Sequence, residues 1–339
     1  MQRLSVQAPR AVVMIRPRHF GPNAATAEDN VFQAVDATRS ADAIAIAAHD
    51  EVTRAAEELE AAGVAVHLFE DIGRATPDSV FPNNWFSTHS GGHVALYPMF
   101  SPSRRRERRH DVIEMLKQRY RVQDVIDYSG LEQDGVYLEG TGAMVLDHIE
   151  RVAYAARSNR TNEVALERFC THFNFEPVVF DAADAKGRPI YHTNVLMCVG
   201  TDFCLIGLGA IRDPGRRAEI AERLAGTGRA VIDLSHEQIG EFAGNAIELQ
   251  GSGGRVVAMS ARALKALQPQ QVATLERSAA ILPLEVPTIE LAGGSVRCML
   301  AGIHLAARHA SDGSFAVGGS FPQGERRCFT DHEVVTSSA

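Results

Sequence analysis

The sequence predicts an α/β fold in which one hairpin–helix–strand unit recurs five times and closes on itself. Three observations predict it. A short polar motif followed by two apolar stretches around a turn occurs five times. Its motif positions Asn84, Gly142, Asn194, Asn245 and Cys298 lie 58, 52, 51 and 53 residues apart. A period near 50 with a hairpin signal in each unit marks a repeat architecture. Helical spacing fills the intervals, and after most helices comes one more strand-like run.

The hairpins come in order. FPNNWFSTHSGGHVALYPM turns at Gly91-Gly92, and YLEGTGAMVLDHIERVAYAA turns near Asp147-His148. YHTNVLMCVGTDFCLIGLGAI turns at Gly200-Thr201-Asp202, and AGNAIELQGSGGRVVAMSA at Gly251-Ser252-Gly253-Gly254. The last, GGSVRCMLAGIHL, lacks a return strand, which the N-terminal AVVMIRPRHF supplies, closing the ring. Helical patterns are HDEVTRAAEELEAAG, RRHDVIEMLKQRY, NEVALERFCTHF, PGRRAEIAERLAGTG and SARALKALQPQQVATLERS. The added strands are VAVHLFE, FEPVVFD, RAVIDLS and AILPLEV. Closure favours a single domain over 1–339, with a core at about 11–305 and a tail at about 306–339, rather than two domains of roughly 150 residues each.

Composition narrows the function. With 45% hydrophobic and 22% charged residues, the chain is no disordered polymer. No apolar run approaches the ~18 residues that span a bilayer, and the first fifteen residues carry no signal-peptide pattern. A net charge of −8 argues against nucleic-acid partners. The one basic run, Ser103-Arg104-Arg105-Arg106-Glu107-Arg108-Arg109-His110, reads as a solvated helix start. The five cysteines are odd in number and form no CxxC pair. This suits reduced thiols in the cytoplasm and no zinc ribbon. Cys170, Cys198 and Cys204 read as core residues. No metal or other cofactor is expected, and GSGG reads as a hairpin turn rather than a nucleotide loop.

In a closed repeat, pseudo-rotation gathers the opening motifs at one end of the axis. Glu139 opens the second unit, His192 the third and Cys298 the fifth. Each alone has an ordinary reading as a turn glutamate, a hydrogen-bonded strand histidine or an inert core thiol. Together they are one carboxylate, one base and one nucleophile at the same phase of the repeat, which favours a Cys/His/Glu site.

These motifs resemble those of the guanidino-modifying, or pentein, superfamily, and most closely its citrulline-utilisation hydrolases. The resemblance covers about residues 11–305. It implies a five-bladed α/β propeller of pseudo-symmetric ββαβ units. LEGTG resembles the Glu-Gly-Gly-Asp motif, which makes Glu139 the site carboxylate. YHTN resembles the His-x-Asp motif, which makes His192 the general acid/base. GGSVRCM resembles the glycine-rich motif that carries the nucleophile, here Cys298. SNRTNE resembles the Arg-Thr-Asn stretch that holds a substrate carboxylate in dimethylaminohydrolases, here Arg160. A surface helix-cap arginine is an equal reading of that residue.

The departures carry information. Arginine deiminases have aspartates, which bind a guanidinium, where this chain has Asn84 and Asn194. A third carboxylate is missing at Thr141-Gly142. Asparagine keeps the shape, loses the charge and offers both a donor and an acceptor. That suits a neutral ureido group, although turn chemistry alone also accounts for asparagine. The expected activity is hydrolysis of a C–N bond other than a peptide bond through a covalent Cys298 adduct, with citrulline giving ornithine, CO2 and ammonia. His192, or a cationic substrate, would support the thiolate. The alternatives are an arginine or methylarginine deiminase, an amidinotransferase, or a non-catalytic propeller that binds a small amino acid. The partner expected is an arginine- or citrulline-like small molecule, with neither membrane nor nucleic acid; oligomeric state stays open, a homodimer included.

Overall fold

Among the described residues, fifteen strands form five three-stranded sheets, and each sheet follows one plan: an antiparallel hairpin, a helical crossover and a third strand parallel to the second. This computed structural model describes residues 6–308; Cys328 and the tail from 309 onward lie outside the described residues. The first blade contains β3 (Phe86–His89), β4 (His93–Leu96) and β5 (Asp124–Asp127). The second contains β6 (Met144–Asp147), β7 (Val152–Ala156) and β8 (Glu176–Phe180). The third contains β9 (Met197–Val199), β10 (Phe203–Ile206) and β11 (Ala230–Asp233). The fourth contains β12 (Ile247–Gly251), β13 (Gly254–Ser260) and β14 (Ala280–Leu284). This is the five-bladed pentein propeller.

The fifth blade closes the ring as the sequence predicts. β15 (Ala301–Ile303) pairs antiparallel with β1 (Ala11–Pro17), through Ala11↔Ile303 and Val13↔Ala301. β1 pairs parallel with β2 (Ala65–Asp71). The joining helix, Ala41–Ala61, starts further upstream than its apolar spacing suggests, because Ser40 accepts a hydrogen bond from Ala43 N–H as its N-cap.

Burial sorts the strands by distance from the axis. First strands of neighbouring blades touch one another, as β15 does β3, β6 does β9 and β9 does β12, so they line the axis. β3, β6 and β9 are buried at every residue. The third strands are less buried: β5 has only exposed and half-buried positions, and β14 is buried only at Leu284. Of the inner strands, β9 (MCV) is apolar throughout, as packing on both faces favours, whereas β3 buries Ser87, Thr88 and His89, with Ser87 Oγ hydrogen-bonded to the His89 ring and to Tyr97 Oη. The Gly91-Gly92 turn runs at φ +92° and +94°, a backbone region that glycine enters without a Cβ penalty. Among the described residues, no helix is long and apolar enough to cross a membrane.

Candidate active site

The residues at the repeat phase do not open strands directly. Each sits in a single helical turn just before one: Pro82–Asn84, Gly140–Ala143, Thr193–Val195 and Val296–Met299, with an irregular turn through Gly244-Asn245 in the fourth blade. These turns are linked to one another. Thr141 Oγ1 donates to Asn83 O (3.2 Å), Thr193 Oγ1 to Ala143 O (2.5 Å), Asn245 Nδ2 to Asn194 O (2.9 Å) and Arg297 N to Asn245 O (3.3 Å). Each turn thus bonds to the turn one blade back. The recurrent small polar residues are the ties that gather the motifs at the axis.

Glu139 and His192 form one unit. Glu139 is fully buried and His192 nearly so. Their Oε2 and Nε2 atoms are 2.8 Å apart. Burial pushes the Glu139 carboxyl up, but Arg160, the His192 hydrogen bond and Arg104 outweigh it and hold the group well below the carboxylate range. An ionised carboxylate only accepts, so Nε2 carries the proton and Nδ1 carries the lone pair. Burial takes His192 down to about 4 against the pull of Glu139. His192 is therefore a neutral base in the free protein, and it is not the cation expected to support a thiolate.

Gly142 explains one departure in the motif. A Cβ there would lie 2.2 Å from Asn84 Nδ2 and 2.8 Å from His192 Nδ1. The close approach of these two side chains leaves no room for a side chain at 142, an aspartate included.

Cys298 is buried in the turn Val296–Met299. Two carboxamides face its sulfur, with Asn194 Nδ2 and Asn245 Nδ2 each 3.3 Å from Sγ. The Asn245 amide is oriented by its bond to a backbone carbonyl, which accepts only. Its NH2 group therefore points at sulfur, where an N–H donor favours negative charge. Asn245, noted in the sequence only as a repeat position, thus joins the site. The other cysteines lack this setting. Burial raises Cys170 and Cys198 to about 12 and pushes Cys204 well above the ordinary thiol value.

The basic run overturns its sequence reading. Arg104 and Glu107 are buried, and they face the site from the 3-10 turn Arg104–Glu107. In a 3-10 turn residues i and i+3 eclipse, so both point inward while Arg106 stays exposed. The signal in the sequence was the Arg-x-x-Glu spacing. Arg104 Nε and Nη2 donate to Glu107 (3.0 and 2.9 Å), and Nη2 also to Asn84 Oδ1 (3.0 Å). Asp78 lies 3.6 Å and Glu139 3.5 Å from the same guanidinium. Burial raises Glu107, and the Arg104 fork opposes it.

Arg160 is not a surface arginine. It is 1% exposed, with its guanidinium 4.7 Å from the Tyr191 ring centroid and 3.4 Å from Glu139. Its outer edge is held by Asp29, through Nε (2.8 Å) and Nη2 (2.6 Å), from the loop of residues 18–40.

One cavity joins these groups. Its wall includes Asn84, Arg104, Arg160, His192, Cys298 and Asp78. Glu139 stands behind His192, and Asn194 stands behind the sulfur. Among the described residues, no three His, Cys, Asp or Glu side chains gather as a metal ion would require.

A buried base–carboxylate pair and a cysteine at the axis of a five-bladed ring define a member of the pentein, or amidinotransferase, superfamily. The family model for "N,N dimethylarginine dimethylhydrolase, eukaryotic" matches residues 16–305, and the chain belongs to that family, whose enzymes hydrolyse C–N bonds of guanidino groups. No curated protein matches the sequence. Among solved structures, the N-terminal domain of ArgZ with bound substrate, an arginine dihydrolase from the ornithine–ammonia cycle in Cyanobacteria, is 17% identical, with a TM-score of 0.66 over 86% of this chain and 97% of that one. AgrE with L-arginine is 17% identical, with a TM-score of 0.67 over 88% of this chain and 41% of that one. A dimethylarginine dimethylaminohydrolase adduct with 4-chloro-2-hydroxymethylpyridine is 14% identical, with a TM-score of 0.60 over 87% and 100%. At these identities the likeness to solved structures is one of fold.

Proposed function

We propose that the protein hydrolyses the ureido C–N bond of a citrulline-like amino acid, giving an ornithine-like amine, CO2 and ammonia. One observation carries this choice. The Asn84 Nδ2 group is sealed from solvent and, among the described residues, has no acceptor. Its orientation is fixed, because Arg104 can only donate and so must face Oδ1. The site therefore offers a free N–H donor at its wall. A ureido oxygen accepts such a bond; a guanidinium, with donors only, does not. The Oδ1 atoms of Asn194 and Asn245, whose amides flank the Cys298 sulfur, are also buried without a hydrogen-bond partner among the described residues.

In this reading Arg104 and Arg160 anchor the substrate's α-carboxylate, and Asp29 holds the place on Arg160 until the substrate displaces it. Cys298 gives its proton to His192 Nδ1, and the sulfur attacks the ureido carbon. His192 returns the proton to the departing amine nitrogen as the C–N bond breaks, leaving an S-carbamoyl cysteine. His192 then takes a proton from water, which adds to the carbamoyl carbon. The sulfur leaves, and the resulting carbamate decomposes to CO2 and ammonia. Glu139 stabilises the imidazolium formed at each transfer.

A second reading, hydrolysis of arginine or a methylated arginine, is favoured by Asp78, a carboxylate on the cavity wall that a guanidinium could face. Incubation with citrulline, arginine, N-methylarginine and agmatine, with assays for ornithine and ammonia, separates the two. We expect turnover of citrulline and little of agmatine, which has no carboxylate for the two arginines. Preference for arginine over citrulline overturns the ureido reading.

A further inference from the structure

A second cavity lies on the propeller axis among the first strands, and Thr141 and Arg297 reach it from the helical turns. All five blades line it, through residues such as Thr88, His148, Cys198, Glu248 and His304, with Arg297 projecting into it. It holds about 50 Å³, room for three or four waters or one small ion. Gln7 spans its mouth, donating to Leu146 O (3.0 Å) and Val199 O (2.9 Å) and accepting from His148 N (2.7 Å).

Arg297, half-buried and lining the cavity, departs from the rule that the buried arginines follow. Arg104 faces Glu107, Arg160 faces Asp29, and Arg229 is held by both oxygens of Asp147 at 2.7 and 2.9 Å. Among the described residues, Arg297 has no carboxylate partner; its one hydrogen bond goes to Leu300 O (2.9 Å). Burial lowers its pKa, and only the Cys298 and Cys198 thiols act in the other direction. Glu248, the carboxylate in the same wall, is already engaged by Thr201 N (2.8 Å), Thr201 Oγ1 (2.5 Å) and Arg255 (3.2 Å). The His148 and His304 rings stack at 3.9 Å. Both are held neutral by burial, with Arg297 adding to the effect. A neutral imidazole still offers one N–H. An enclosed cation without a counter-charge is costly, and a small anion removes that cost.

We propose that this axial cavity binds one small monovalent anion, of the size of chloride or bicarbonate, against Arg297. Arg297 immediately precedes Cys298, and its N–H is bonded to Asn245 O, whose side chain touches the Cys298 sulfur. An anion that neutralises Arg297 withdraws positive potential from the nucleophile and slows its reactions.

The test uses the full chain in chloride-free buffer at constant ionic strength. Sodium chloride and sodium bicarbonate are titrated separately against sodium gluconate, with melting temperature and the rate of Cys298 alkylation by iodoacetamide as readouts. We expect a saturable rise in melting temperature and a severalfold slower alkylation with the ion that binds, both lost in Arg297→Gln. A response to one salt alone identifies the source. In wild-type crystals soaked in sodium bromide, an anomalous peak beside Arg297 is expected, so the proposal does not depend on the variant folding. Equal salt effects in gluconate and in both chloride and bicarbonate overturn it, as does a channel without bromide when chloride is the salt that gives the response. Neither binding readout requires turnover, so failure of the ureido reading would leave this result intact.

Discussion

The two ends of the propeller axis are built from the same repeat and handle charge in opposite ways. At the end with the helical turns, Arg104 and Arg160 meet Asp78, Glu107, Glu139 and Asp29, so buried charges of both signs interlock. In the second axial cavity, Arg297 reaches in from its helical turn beside histidines that burial holds neutral, and among the described residues it has no carboxylate partner. Pseudo-symmetry brings five equivalent positions together at both ends, and the residue types there decide whether they form a self-satisfied network or a site that needs an outside ion. The active-site end is satisfied in its charges yet leaves amide atoms of Asn84, Asn194 and Asn245 unpaired. In the proposed ureido reading, those atoms are the partners of a polar, uncharged group.

The largest expected effect is at the nucleophile. Cys298→Ala should lower kcat by about 10³-fold or more with an unchanged far-UV spectrum. Cys170→Ser and Cys198→Ser should change melting temperature only, and mass spectrometry of a trapped adduct on either residue would reject the assignment. Next comes Glu139→Gln, which removes the carboxylate that fixes the His192 tautomer and stabilises its protonated form. A loss of about 10²–10⁴-fold in kcat is expected. Because Glu139 raises the His192 pKa, the acid limb of kcat/KM should also move below its wild-type position, which lies nearer 4 than 6.5. A limb that stays in place would mean that another group titrates.

The comparison between the ends is sharpest for the arginines. Arg104→Gln strands buried carboxylates and should cost about 3–5 kcal/mol in denaturant unfolding. Arg297→Gln removes an unpartnered cation and should cost less than ~1 kcal/mol in chloride-free buffer. Similar losses in both would erase the distinction drawn here. Acid stability should reflect both ends. His192 and His304 are held at about 4 in the folded chain, below their value of roughly 6.5 when unfolded. Between these values the unfolded chain binds more protons, so stability is lost as pH falls through that window. His304→Gln should flatten the slope by up to about 1.4 kcal/mol per pH unit; an unchanged slope would place the titration elsewhere. The smallest effect concerns preference. Asn84→Asp replaces the free donor with an acceptor that Arg104 can claim. The citrulline/arginine ratio of kcat/KM should fall by about ten- to a hundredfold, and an unchanged ratio would remove Asn84 from recognition.

The sequence by itself determined the repeat, its period, the closure of the fifth blade by the N-terminal strand, and the convergence of Glu139, His192 and Cys298. All of these follow from local signals, namely turn residues, hydrophobic periodicity and a phase that recurs. Tertiary structure decided what depends on neighbours distant along the chain. Arg104 reads as solvent-facing in a run of arginines, and only the fold shows its 3-10 turn aimed at Asn84 and Glu139. Asn245 looks like any turn asparagine until blade-to-blade hydrogen bonds put its amide on the Cys298 sulfur. His192 could have been the cation beside the thiol, and burial makes it the neutral base instead. Protonation, pairing and burial are set by what surrounds a group in space. For a residue at the axis of a closed ring, those surroundings come from other blades, about 50 residues or more away along the chain.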